Sequence, residues 1–247
     1  MNCVLIEPGD VSAEGVARLR GERARHVLHV LKKQRGDTFL AGMLHGPLGL
    51  STIVEVSDQC LLVTVPEGPT PLVPRTDVIL ALPRPKVMKR LWAPLASLGL
   101  GNITVIGAER VEACYFDSHA VDENLYRPRL IEGLEQARDT RLPVVRIMPS
   151  FDRFAARELP SLPGDAIRLI AHPGAPGRVS DSVAGAAPDA RIVVAIGPEG
   201  GWTPDERAAF VDAGFHEIGL GPRALRTDTA VIALLALVNE AARAGAA

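Results

Sequence analysis

Hydrophobic positions in the first seventy residues come in short runs that alternate with polar ones. Residues 3–6, 38–43, 49–56 and 61–65 are rich in Val, Leu, Ile and Thr, are bounded by Gly, Pro and Asp, and predict strands. One stretch, 22–32, breaks this period: Ala24, Val27, Leu28 and Leu31 recur at three-to-four spacing, with basic residues on the remaining faces. It predicts a helical insert. Residues 66–74 then hold four prolines in nine positions, which restrict both themselves and the residues before them. A linker is expected there, dividing a small β-rich domain (1–70) from a second domain (75–247).

Beyond the linker the period changes. Apolar runs at 78–82, 103–106, 144–148, 167–171 and 192–196 read as buried parallel strands. Helical stretches at 85–98, 123–138 and 151–158 fall between them, so the domain is expected to be a doubly covered α/β sheet. In the first helix Met88, Leu91, Leu95 and Leu98 form the core stripe, Lys86, Lys89 and Arg90 point elsewhere, and Pro94 is expected to kink it.

Composition supports a globular protein with a proper core, at 47% hydrophobic and 23% charged residues in 247. Aromatics are only 4%, so that core must come mainly from aliphatic side chains. Cys3, Cys60 and Cys114 are too far apart for a metal or redox pair, and an odd number argues against a closed disulfide framework. The first residues lack the basic start and apolar run of a signal peptide, and the longest apolar run, 230–238, is half of what a membrane span needs. No membrane association, no metal and a cytoplasmic location are expected. The net charge of −2 is unlike a nucleic-acid binder, but its distribution is uneven. Residues 18–35 carry seven Lys/Arg against Glu22 alone, with His26 and His29 among them, and Arg75, Arg84, Lys86, Lys89 and Arg90 form a second cluster. Either is a candidate phosphate-binding face, or a solvated helix face.

Three segments carry candidate chemistry. In the first, a buried strand runs into Gly197-Pro198-Glu199-Gly200-Gly201, and a helix follows with Thr203 as N-cap, Pro204 in the first turn, Glu206 closing a capping box and Gly214 at the end. A strand, a glycine loop and a capped helix bring backbone amides close to a ligand at the carboxyl end of a sheet, although a plain structural turn has the same pattern. The Lys-Ser/Thr of a P-loop and the glycine spacing of a dinucleotide site are both absent. The second segment runs from Ile218 through Leu220, Gly221, Arg223, Leu225, Arg226, Thr227 and Asp228 to Ala230. Two arginines beside a glycine loop suit an anion or a polarised carbonyl. The helix after it is apolar on every face from 230 to 238, which predicts burial in a core or a subunit interface. The third is Leu169-Ile170-Ala171-His172-Pro173, where His172 is either catalytic or a hydrogen-bonded loop residue.

Gly197–Gly201 together with 220–230 closely resembles the ribosomal RNA small subunit methyltransferase E family of the SPOUT superfamily, and the basic segment 25–36 is similar to that family's helix and turn. The resemblance spans nearly the whole chain. It implies a PUA-like, RNA-binding β-barrel at 1–70 followed by a knotted α/β methyltransferase domain, and an S-adenosylmethionine site formed by Leu169, Ala171, His172, Gly197, Pro198, Glu199, Gly200, Gly201, Leu220, Gly221, Leu225, Arg226 and Thr227. It also implies a homodimer, with 16S ribosomal RNA of the small subunit as substrate, methylated at uridine N3. Arg23, Arg25, His26, Lys32, Arg84, Lys86 and Arg138 are the expected RNA contacts. Arg226 is expected to support the uridinate and Arg223 to fix the loop or a phosphate, with Glu199 or Asp228 as proton acceptor. Two segments depart from the family: Ser97-Leu98-Gly99-Leu100 stands for Glu-Leu-Gly-Val, and Asp139 stands where Arg is expected after Glu135-Gln136. A ribose 2′-O-methyltransferase and a non-catalytic ribosome-assembly factor are the competing readings.

Overall fold

The computed structural model describes residues 2–57, 60–184, 186–187 and 189–244. The chain forms two compact units, one of Met1–Val73 with Ile131–Leu142, the other of Pro74–Leu130 with Pro143–Ala247.

In the first unit β1 (Val4–Ile6), β2 (Val16–Arg20), β3 (Thr38–Met43), β4 (Leu48–Ser57) and β5 (Cys60–Thr64) form one sheet in the order β1-β3-β4-β5-β2. The ten-residue β4 serves two partners. Its first half pairs with β3 and its second with β5, and a register shift between Ile53 and Glu55 lets the strand bend into a half-barrel. Val4, Ile6, Leu19, Val27, Phe39, Leu61 and Val63 fill the concave side. Helix α1 (Gly21–Arg25) continues as one π turn over His26–Val30, where the N–H of Leu31 reaches back to the carbonyl of His26 at 2.9 Å. The helical insert expected over 22–32 is therefore shorter and changes its winding midway.

The segment 131–142 was expected in the second domain and instead clusters with this sheet. Glu135 explains why. Its Oε1 accepts the N–H of Leu5 at 3.1 Å, and its carbonyl accepts the N–H groups of Asn2 and Cys3 at 3.1 Å each. Burial pushes this carboxyl above the usual range, against the hydrogen bond from Leu5. Thr140 and Arg141 add bonds to the carbonyls of Gly46 and Pro71.

The second unit holds six strands, all parallel: β6 (Thr76–Ala81), β7 (Leu100–Ile106), β8 (Val144–Met148), β9 (Ile167–Ala171), β10 (Ile192–Ile196) and β11 (His216–Ile218). Helices α2 (Pro85–Ser97), α3 (Glu123–Ala137, whose residues from Ile131 onward belong to the first unit), α4 (Phe151–Arg157), α5 (Val179–Val183), α6 (Pro204–Asp212) and α7 (Thr227–Ala244) connect or follow them. The order β11-β9-β10-β6-β7-β8 means that the chain runs outward from β6 to β8 and returns past β6 to lay down β9. It then inserts β10 between β9 and β6. That places the ends of three late strands side by side.

Side chains alternate across these strands. One face, with Ile79, Ala81, Ile170, Val193 and Ala195, packs on Phe154, Trp202, Phe210 and Phe215. The few aromatics of this chain are thus concentrated: Phe210 lies 5.1 Å from Trp202 and 5.0 Å from Phe215, ring centre to ring centre. Within the chain, helix α7 is buried along one side only. Val231, Leu234, Leu235 and Val238 are buried, whereas Ile232 and Leu237 are 42% and 47% exposed. Among the described residues no helix is long and apolar enough to cross a membrane.

Candidate active site

Parallel strands end at Ala171, Ile196 and Ile218, and the loops that leave them enclose one cleft. Ligands of open α/β sheets bind at such carboxyl ends. The loop after β9 and the end of β11 approach so closely that a side chain is excluded. A Cβ on Gly219 would stand 2.4 Å from the carbonyl oxygen of Ala175, and the Gly219 N–H bonds to the Gly177 carbonyl at 3.0 Å. The His172 N–H is bonded to the Ile218 carbonyl at 3.0 Å.

The second loop turns at Gly201, whose φ of +73° favours glycine and whose N–H closes on the Pro198 carbonyl at 2.9 Å. The helix behind it is held as its sequence demands. Thr203 and Glu206 form a reciprocal capping box, and Glu206 also accepts the N–H of Glu109 at 2.8 Å, fastening α6 to the loop after β7. At the other end Gly214 and Phe215 donate to the carbonyls of Val211 and Phe210, the Schellman arrangement.

Of the residues expected at a cofactor, Ala171, His172, Gly197, Pro198, Glu199, Gly201, Leu220, Gly221, Leu225 and Thr227 line the cleft, as does Arg223. Three do not. Leu169 is fully buried within β9, two residues short of the strand end. Gly200 faces away, against the side chain of Arg110, whose Nη1 donates to the Gly200 carbonyl at 2.6 Å. Arg226 stands outside the wall with its side chain 73% exposed.

Charged groups ring the mouth. Glu199 accepts the backbone N–H of Arg84, the N-cap of α2, through Oε1 at 3.1 Å; among the described residues no donor reaches Oε2. Asp228, in the first turn of α7, accepts Arg90 at 2.8 Å and Arg226 at 3.4 Å. Burial pushes its carboxyl up, but the Arg90 hydrogen bond, the Arg226 charge and the Thr229 N–H outweigh it and hold the group below the usual carboxylate range. Arg90 was expected only as part of a basic, candidate phosphate-binding cluster and is instead paired with Asp228; Arg110 and Trp202, which lines the cleft from the α6 side, had no role assigned from the sequence. Only the long-range pairings reveal them.

The expected RNA contacts divide differently. Arg25, Lys32, Arg84, Lys86 and Arg138 are exposed, and His26 is partly buried. Lys32 and Arg138 take φ of +53° and +57° just beyond helical turns. Arg23 is already spent: it forks onto both oxygens of Asp10 at 2.5 and 2.9 Å and donates to the Leu5 carbonyl at 3.0 Å. Its role is to tie the first unit together. Among the described residues no cluster of three or more His, Cys, Asp or Glu could hold a metal.

A family model described as an RNA methyltransferase domain matches residues 70–239. The ribosomal RNA small subunit methyltransferase E of Treponema pallidum (strain Nichols) is 33% identical over 244 residues, covering 96% of this chain and 90% of that protein. The enzyme of the same name from Mycobacterium tuberculosis (strain CDC 1551 / Oshkosh) is 30% identical over 228 residues, covering 91% and 86%. Among solved structures, a ribosomal RNA small subunit methyltransferase E from Neisseria gonorrhoeae, bound to S-adenosyl methionine, superposes with a TM-score of 0.77 at 21% identity, covering 96% of this chain and 97% of that one. A probable rRNA-methyltransferase from Porphyromonas gingivalis gives a TM-score of 0.78 at 24% identity, covering 98% and 99%. The α/β fold is theirs.

Proposed function

The chain belongs to the ribosomal RNA small subunit methyltransferase E family, and on that premise we propose that it methylates N3 of a uridine in 16S ribosomal RNA using S-adenosylmethionine. The observation that carries this reading is the convergence of three strand-end loops on one cleft with an apolar wall and a charged mouth.

The residues present suit the cofactor. Leu220, Leu225 and Leu234 offer an apolar slot for a planar base, beside the backbone of 196–198 and 218–221. On the α6 side of the cleft the buried indole N–H of Trp202 has no hydrogen-bond partner among the described residues, an uncommon state for a buried donor beside a ligand cleft. When bound, S-adenosylmethionine supplies a methyl group already activated by its sulfonium. What remains for the chain is to orient both reactants and to prepare N3.

N3 lies on the Watson–Crick edge and carries a weakly acidic proton, so the uridine must be unpaired or flipped at a cost of about a few kcal/mol. As the proton leaves, negative charge spreads to the uracil oxygens. Arg226, exposed at the edge of the cleft, supports that charge, and Arg223 on the wall fixes the loop or a phosphate. Glu199 is the better placed proton acceptor of the two acids. It lines the cleft with Oε2 uncommitted, whereas Asp228 is held ionised by two arginines and is correspondingly weakly basic.

Arg25, Lys32, Arg84, Lys86 and Arg138 contribute sequence-independent phosphate contacts. The exposed Ile232 and Leu237 on α7 fit a homodimer, and the insertion of β10 between β9 and β6 fits a threaded chain. The substrate is the small subunit in the cytoplasm. Primer extension tests the position of the methyl: N3-methyluridine blocks pairing and stops the polymerase, whereas a ribose methyl does so only weakly.

A further inference from the structure

The carboxylate of Asp228 is shared between two arginines. Its Oδ2 accepts Nη2 of Arg90 from α2 at 2.8 Å and Nη2 of Arg226 at 3.4 Å, while Oδ1 accepts the N–H of Thr229 at 3.0 Å. An arginine and a carboxylate frequently close into a two-pronged pair. Here Arg90 takes the short bond and Arg226 keeps one long contact, so most of its five N–H donors are uncommitted. Asp228, its side chain 21% exposed, directly follows Thr227, which lines the cleft, in the first turn of α7.

From this geometry we infer that Arg90 is a positioning residue of the methyl-transfer site. By occupying Asp228 it prevents that carboxylate from capturing Arg226, and so leaves the Arg226 guanidinium free to meet the uracil oxygen. The inference rests on the role of Arg226 proposed above. Arg90 needs no contact with RNA or cofactor to act in this way, which separates it from Arg84 and Lys86, whose proposed contacts are with phosphate.

The test is steady-state methylation of undermethylated small subunits, with kcat and the KM for ribosomal RNA resolved, and cofactor affinity measured by calorimetry. Arg90→Gln is expected to lower kcat roughly 10- to 100-fold, the scale of a misplaced catalytic group, with KM and cofactor affinity within about twofold of the original. Arg90→Lys, which can still occupy Asp228, is expected to recover most of that loss. In an Asp228→Asn background Arg90→Gln is expected to change nothing further, because its effect passes through that carboxylate. An unchanged kcat, a raised KM with kcat intact, an Arg90→Lys as poor as Arg90→Gln, or additive losses in the double variant would each overturn the proposal. Failure of the unsubstituted protein to methylate the RNA would instead overturn the functional reading beneath it, and the proposal with it.

Discussion

Glu199 binds the backbone N–H of Arg84 through one carboxylate oxygen at 3.1 Å, joining the glycine loop after β10 to the start of α2. The same side chain lines the cleft, so its two oxygens have separate duties: one holds the loop, the other is available to substrate. Glu199→Gln separates them, because an amide oxygen still accepts from Arg84 but takes up no proton. The expected result is a fall in kcat of roughly 100-fold, within the range of a lost general base, with cofactor affinity preserved. If the glutamine variant turns over normally, the N3 proton goes to solvent and Glu199 is an anchor only.

Arg226→Ala removes the donor assigned to the developing charge. Loss of one such donor costs about 100- to 1000-fold in kcat. Calorimetric binding of S-adenosylmethionine should be largely unchanged, because Arg226 stands outside the cleft wall. Equal losses in binding and turnover would show that it serves the cofactor.

Much of this site is legible in the sequence. Residues 192–196 are recognisable as a strand because a parallel strand covered on both faces is apolar without interruption. Residues 144–148 and 167–171 are legible from the apolar residues around Arg146 and Arg168, although β8, at the sheet edge, is only partly buried. The capping box at Thr203 and Glu206 is equally local. Strand β2 escapes because Val16-Ala17-Arg18-Leu19-Arg20 has charged residues on its open face and lies in a basic cluster. Helix α5 escapes because five residues rich in serine and valine carry no helical period. Arg23 has the look of an RNA contact for the same reason that Arg25 does, and only its distance to Asp10 separates them. The partners Arg90–Asp228, Arg110–Gly200 and Glu206–Glu109 lie 138, 90 and 97 residues apart, beyond the reach of any periodicity.

Glu206 offers a direct stability test. It is 4% exposed and accepts two backbone N–H groups, from Thr203 and Glu109. Glu206→Ala leaves both unsatisfied, and at about 1–3 kcal/mol for each such group the variant should lose roughly 2–6 kcal/mol in urea unfolding. A loss below about 0.5 kcal/mol, the level of an ordinary surface change, would contradict the pairing.

The Arg23–Asp10 pair predicts a pH dependence. Burial pushes the Asp10 carboxyl up, but the Arg23 hydrogen bond, the Glu7 N–H and the Arg23 charge together hold it below its ordinary value of 3.8. A depressed carboxylate binds protons less readily folded than unfolded, so its contribution is complete above 3.8 and disappears as pH falls through the lower folded value. The protein should exceed Asp10→Asn in stability at pH 7, and the gap should close in acid below that value. A gap that widens as pH falls would reverse the sign and refute the assignment.

The most direct measurement is to incubate the protein with labelled S-adenosylmethionine and undermethylated small ribosomal subunits, then locate the modified nucleotide by primer extension and mass spectrometry of digested 16S ribosomal RNA. One methyl group per small subunit, at N3 of a single uridine that arrests the polymerase, is the predicted result. Label on a ribose oxygen, on another base, or absent from the RNA would contradict it.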